Sequence, residues 1–259
     1  MKIFESKKLF FIVIISLIFF CSSPIFTKSP EHILPDSYYT FRDDMYNFAK
    51  PPEQMLEDFK KYTAETSANF SNKKISEYEF NLYMARYEYI MGRTYFYANN
   101  LTEAGNHYDK GMEFAEKAMK KDENAQSVLI FAENISANCT TKPTSWVISN
   151  GAKISGLAKK VLKYDEKNGA AIYMLNAQDI YAPAPFNNIK RGIKIMTEIV
   201  ENSSYDLDSD DRFNLISSVG YGYSLLKNKN DAEIWLKNSL EIYPENKYIK
   251  GEENYGKRY

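Results

Sequence analysis

The 259-residue chain is poor in residue types on which several protein classes depend. It has only 11 glycines, which disfavours a β-rich protein with many tight turns and favours long helices. Neither of its two histidines, His32 and His107, has a second histidine or cysteine at metal-ligand spacing, so no zinc site is predicted. The formal net charge of -1 gives no electrostatic reason to expect nucleic acid as a partner.

Sequence motifs that support catalysis are also missing. The chain has no phosphate-binding glycine loop, no Gly-x-Ser-x-Gly turn and no Cys-x-x-Cys. The acidic residues 206–211 do not fit a calcium-binding EF-hand loop, because Asp211 and Ser217 stand where that loop needs glycine and glutamate. They are better explained as the start of a helix that Asp208 or Ser209 caps. We therefore predict no metal, no cofactor and no enzymatic activity.

The first 23 residues have the pattern of a secretory signal peptide. Lys2, Lys7 and Lys8 supply the positive charge, and residues 9–20 are apolar apart from Ser16. Twelve residues suit the hydrophobic region of a signal and are too few to span a bilayer comfortably. We predict an exported protein, periplasmic or anchored to the membrane; an uncleaved membrane anchor is the alternative.

Cys21 follows the apolar run directly. With Leu17 and the two serines after it, this cysteine resembles the lipidation motif of bacterial lipoproteins, which implies a lipid anchor at Cys21. Phe20 departs from that motif, which normally has a small residue there, so the lipidated and unlipidated forms both remain open. Lipidation of Cys21 would leave Cys139 as a lone, buried thiol.

The rest of the chain divides into three parts. Residues 24–50 contain three prolines and no sustained helical period, which predicts a tether or an irregular segment. Residues 51–244 are predicted to be helical nearly throughout, and residues 245–259 to form a polar, frayed tail. The expected helices number about nine, and their ranges are 52–68, 74–98, 101–121, 124–139, 143–164, 168–181, 187–202, 209–227 and 229–243.

Two segments of the helical part share one residue spacing. The first copy consists of Gly92, Tyr95, Ala104, Tyr108 and Gly111. The second copy consists of Gly220, Tyr223, Ala232, Leu236, Ser239 and Pro244. A small residue on the first helix of a hairpin lets the second helix approach closely, and the tyrosine fills the space between them.

This spacing resembles the tetratricopeptide repeat. The resemblance implies an all-α array of helical hairpins, an α-solenoid whose first helices line a concave groove. In the first copy, the residues that end the second helix of the hairpin lie seven positions later than the repeat spacing requires. The second helix of that copy should therefore be about two turns longer than in a usual repeat. A stripe of Ile189, Gly192, Ile193 and Met196 marks another helix between the two copies.

The resemblance also implies which residues face a ligand in the groove. They are Arg86, Tyr89, Arg93, Phe96 and Tyr97 in the first copy and Asn214, Ser217, Tyr221 and Ser224 in the last copy. Two arginines beside tyrosines suit a carboxylate or an acidic peptide, because arginine binds carboxylates bidentately and tyrosine adds contact area. The alternative is that these aromatics pack against residues 52–68 and the arginines pair with nearby glutamates.

Three hypotheses for the function remain open. The first is a non-enzymatic exported binding or scaffold protein, whose groove takes a protein or peptide. The second follows from a resemblance to the T-component lipoproteins that accompany periplasmic solute-binding proteins in some tripartite transporters, on the basis of size, repeat type and export. The third is an enzyme, which would require a polar pocket with perturbed carboxylates.

Overall fold

The structure is a computed structural model, which describes residues 34–182, 184–205 and 207–251. Over these residues the chain is all-α, with eleven helices and no strand. The helices are α1 (Asp36–Tyr46), α2 (Pro52–Ser71), α3 (Glu77–Tyr97), α4 (Leu101–Lys121), α5 (Ala125–Asn138), α6 (Thr144–Tyr164), α7 (Gly169–Tyr181), α8 (Ile189–Glu201), α9 (Ser209–Leu225), α10 (Lys229–Leu240) and α11 (Lys247–Lys250). The predicted signal peptide, Cys21 and His32 lie outside the described residues.

Helices α2 to α10 form an array in which each helix packs on the next along the chain. They correspond to the nine predicted helices, with ends that differ by a few residues. Eight of these helices form four successive pairs, namely α3 with α4, α5 with α6, α7 with α8, and α9 with α10, and α2 packs on α3 before the first pair. Helix α4 is 21 residues long and α10 is 12, so the second helix of the first copy is overlong, as predicted.

The helix starts are determined locally by side chains that accept backbone N–H groups. Ser76 and Glu79 form a reciprocal capping box at the start of α3. An asparagine side chain accepts an N–H from the first turn of six further helices. These residues are Asn100, Asn124, Asn168, Asn188, Asn228 and Asn246. Because capping residues can be identified from the sequence, most helix starts could be predicted.

The two copies of the repeat spacing make the same close contact. A Cβ atom added to Gly92 of α3 would lie 2.5 Å from the ring of Tyr108 on α4. A Cβ atom added to Gly220 of α9 would lie 2.8 Å from the side chain of Leu236 on α10. The absence of a side chain at both glycines therefore lets the paired helices approach closely.

We expect Gly92→Ala to lower the free energy of unfolding by about 1–3 kcal/mol, because the added methyl overlaps Tyr108 in a packed interface. The matched control is Gly156→Ala in α6, where no atom lies within 4 Å of the added Cβ. There alanine should raise stability by about 0.5–1 kcal/mol, through its better helix propensity. Urea unfolding followed by circular dichroism measures both changes, and equal changes at the two glycines would contradict the close approach.

Residues 36–46 are helical, which corrects the prediction of a tether or irregular segment over residues 24–50. Pro35 stands just before the first turn of α1, where proline is tolerated. The helix packs on α2 and α3, and Tyr38, Phe41, Met45 and Tyr46 are buried. A helix this short is stabilised by its packing and not by its local sequence, which explains the wrong prediction.

Helix α1 also joins the two ends of the array. Arg42 of α1 donates to Asp210 of α9 at 2.9 Å, and Tyr46 stacks on Tyr243 with ring centroids 4.8 Å apart. The Asn246 side chain donates to the backbone carbonyl of Tyr46 at 2.7 Å. The segment after α10 is therefore packed as far as α11, and the predicted frayed tail is corrected for residues 245–251.

Candidate functional site

A cavity of about 560 Å³ lies among the helices of the array, and we call it the central cavity. Its walls come mainly from α3, α5, α7 and α9, the first helices of the four pairs, and α11 contributes Tyr248 and Ile249. Six residues predicted to face a ligand line this cavity. They are Tyr89, Arg93, Phe96, Tyr97, Asn214 and Ser217. The structure thus brings the predicted positions of the first and last copies, which are far apart in sequence, around one space.

Arg86, Tyr221 and Ser224 do not line the central cavity. Arg86 is buried and donates to Glu133 of α5 at 2.6 Å, which is the glutamate pairing that we considered as the alternative. The ring of Tyr221 stacks on the ring of Tyr181, which itself lines the cavity. Ser224 donates to the backbone carbonyl of Gly220 within its own helix.

Arg93 is the cationic group of the cavity wall. Its guanidinium donates to the hydroxyl of Tyr89 at 3.1 Å and to the hydroxyl of Tyr97 at 2.6 Å. It also lies over the ring of Tyr46, 5.0 Å from the centroid. These contacts hold the guanidinium in place by hydrogen bonds and cation–π attraction. Among the described residues no carboxylate lies within ion-pair distance of Arg93.

Two carboxyl groups lie on other walls of the cavity. Burial raises the pKa of Glu133, and its partner Arg86 acts in the opposite direction. Burial also raises the pKa of Asp211 well above its ordinary value, and the nearby carboxylates of Asp210, Glu133 and Asp208 raise it further. Within the described residues Asp211 has no hydrogen-bond or ion-pair partner.

The sequence prediction did not include the two acidic wall residues. Asp211 was assigned only to the first turn of a helix; α9 does begin there, although Asp208 at the cap position makes no capping hydrogen bond. Glu133 is the only charged residue of α5, whose sequence is otherwise apolar or uncharged. A lone charge in such a helix was the signal that could have indicated it, since buried charges are usually paired or functional.

The remaining polar candidates occupy other environments. The helical pattern of the sequence predicts a surface position for His107, and the structure corrects this, because His107 is buried: its Nδ1 lies 2.5 Å from Glu88 and its ring stacks on Tyr95. Cys139 is a free thiol, half-buried beside the cavity, and burial raises its pKa. In the part of the chain that the structure describes, no three His, Cys, Asp or Glu side chains are placed to hold a metal ion.

None of the described helices is both long and apolar enough to cross a membrane. No protein-family model matches the chain, and no curated protein matches it.

Proposed function

We propose that this chain is a non-enzymatic exported binding protein whose ligand, a peptide or a peptide segment of a protein, occupies the central cavity. The observation that supports this most is the convergence of Tyr89, Arg93, Phe96, Tyr97, Asn214 and Ser217 around one cavity. A half-buried guanidinium among tyrosines is a favourable environment for a carboxylate. The signal-like first 23 residues support export, and Cys21 is the proposed position of a lipid anchor.

We also propose that the array is a tetratricopeptide-like solenoid. Support comes from the matching contacts of Gly92 with Tyr108 and of Gly220 with Leu236, which are the same two positions of the repeat spacing. In such arrays the first helix of each pair faces the ligand. The walls of the central cavity come mainly from those helices here, with smaller contributions from α4, α6 and α11.

A second candidate function is that of a T-component-like lipoprotein, a partner of a solute-binding protein in a tripartite transporter. The size of the cavity favours it, since about 560 Å³ falls in the range of sites for small molecules. In that case the occupant would be a free solute and not a segment of a protein.

Site-specific photocrosslinking in intact cells tests the proposal. The probe is a benzophenone amino acid placed at position 217, since Ser217 lines the cavity. The control is the same amino acid at position 234, since Ile234 is exposed on α10. We expect peptide adducts at position 217 only, and Arg93→Met should reduce them roughly tenfold or more. Mass spectrometry of the adduct separates a peptide from a small solute.

Equal labelling at positions 217 and 234 would contradict a ligand in the cavity. So would unchanged labelling at position 217 in Arg93→Met, provided that the variant keeps its helical circular dichroism spectrum.

A further inference from the structure

The central cavity is lined by an arginine and a carboxyl group that have no ion-pair partner among the described residues. Arg93 of α3 contributes a guanidinium and Asp211 of α9 contributes a carboxyl group. Both residues line the same space of about 560 Å³, so that one compact ligand can reach both. Removing a charged group from water without an opposite charge is costly, and a bound ligand can offset that cost at each position.

At Arg93 the present hydrogen bonds leave the charge uncompensated. Its two acceptors, the hydroxyls of Tyr89 and Tyr97, are neutral. Neutral acceptors satisfy N–H groups but do not balance a formal charge. The planar guanidinium and the aromatic rings around it match a carboxylate that has an apolar neighbour.

At Asp211 the surroundings are negative. Asp208, Asp210 and Glu133 each raise the pKa of Asp211 through their charges, and Arg86 only partly opposes them. Arg86 is paired with Glu133, and Arg42 is paired with Asp210 and, at 3.5 Å, with Asp208. A ligand ammonium group would add positive charge at Asp211, where Arg86 offsets the effect of the surrounding carboxylates only in part.

Aromatic side chains line much of the remaining wall. Tyr108, Tyr173, Tyr181 and Phe213 line the same cavity as Arg93 and Asp211. Such rings offer contact area for apolar side chains at low entropic cost. The site therefore combines a guanidinium, a carboxyl group and aromatic rings.

We infer that the ligand is a short, free peptide with apolar side chains, whose terminal ammonium group faces Asp211 and whose terminal carboxylate faces Arg93. The inference rests on the proposed function and specifies its ligand. An anion alone would add negative charge to a cavity in which Asp211 lies near three other carboxylates and has no ion-pair partner among the described residues. A neutral apolar ligand would leave both charged groups without partners, which costs affinity.

Calorimetric titration of the purified protein with defined peptides tests the inference. The probes are trialanine, trileucine and triphenylalanine, each as the free peptide, as its C-terminal amide and as its N-acetyl derivative. We expect at least one free peptide to bind, and each blocked form of that peptide to bind roughly tenfold to a hundredfold more weakly. Modifying the ligand leaves the protein fold unchanged.

Protein variants assign each end of the peptide. In Arg93→Met the free peptide and its amide should bind equally, while the preference for a free amino terminus remains. In Asp211→Asn the free and acetylated peptides should bind equally, while the preference for a free carboxylate remains. Unchanged preferences in the two variants, or equal binding of all three forms to the unmodified protein, would overturn the inference.

Failure of the inference is distinguishable from failure of the proposed function. Suppose that no tripeptide binds but that a benzophenone at position 217 still captures a larger peptide or a protein. The inference of a short free peptide is then wrong, whereas the proposal of a ligand in the central cavity is retained. If that crosslink is also absent, the inferred ligand and the proposed binding function are both wrong.

Discussion

Tyr46→Ala is expected to lower the free energy of unfolding by about 3–5 kcal/mol, the range seen for deletion of large buried aromatics. Tyr46 is fully buried at the junction of α1 with the last helices. Its ring stacks on Tyr243 and meets Phe213 edge-on, with centroids 5.3 Å apart. Alanine would remove these contacts and leave a cavity between the two ends of the array.

The same substitution should also perturb the central cavity. The guanidinium of Arg93 lies over the Tyr46 ring, and Asn214, another cavity residue, donates to the Tyr46 hydroxyl at 3.2 Å. Loss of the ring therefore removes one support of each side chain. Peptide or crosslinking assays on Tyr46→Ala should show weakened binding even where the helices remain folded.

Urea unfolding with two comparison variants measures the effect. Tyr46→Phe keeps the stacked rings and loses only the hydroxyl contact, so we expect a cost of about 0.5–1.5 kcal/mol. Tyr164→Ala removes a tyrosine that is 49% exposed on α6 and should cost less than about 1 kcal/mol. If Tyr46→Ala were no more destabilising than Tyr164→Ala, α1 would not hold the ends of the array together.

The helices of the array were predictable because their signals are local. An apolar stripe such as that of α8, of which Gly192, Ile193, Met196 and Ile199 are buried, repeats within a few turns. Asparagine caps mark most of the helix starts. Helix α1 lacked such signals, since its decisive partners, Asp210 and Tyr243, follow it by more than 160 residues. Contacts of that range cannot be derived from helical periodicity.

The sequence predicted part of the lining of the central cavity and did not predict its two acidic residues. Tyr89, Arg93 and Tyr97, which the offsets within a repeat assign to the ligand-facing side of one helix, all line the cavity, because positions on a single helix keep a fixed relation. Arg86 has the same residue type as Arg93 but faces Glu133 of the neighbouring helix. Whether an arginine meets a ligand or a glutamate depends on the packing of α3 against α5, which the spacing does not specify.

The ion pair of Arg86 and Glu133 gives the second large expected effect. Arg86 is 6% exposed, and its Nε atom has no hydrogen-bond partner among the described residues, so the guanidinium depends on Glu133 at 2.6 Å and Gln126 at 3.1 Å. Removing one member of a buried pair leaves the other charge uncompensated. The two members differ, because arginine does not lose its proton in a protein, whereas a carboxyl group can become neutral.

We therefore expect Glu133→Leu to lower the free energy of unfolding by about 3–5 kcal/mol, since the Arg86 guanidinium stays charged and loses its ion-pair partner. Arg86→Met should cost less, because burial already raises the pKa of Glu133 and so favours its neutral form. Urea unfolding at neutral pH gives both values. A larger loss for Arg86→Met than for Glu133→Leu would contradict this asymmetry.

The double variant Arg86→Met with Glu133→Leu separates the pair from its surroundings. Replacement of a buried ion pair by apolar side chains is often neutral or stabilising, so we expect the double variant to lie within about 1 kcal/mol of the unmodified protein. That recovery would show that the cost of Glu133→Leu comes from the unpaired guanidinium and not from lost packing. The same double variant keeps Arg93 and Asp211, so it should still distinguish a free peptide from its amide. Loss of stability equal to the sum of the single changes would instead show that the two side chains act independently.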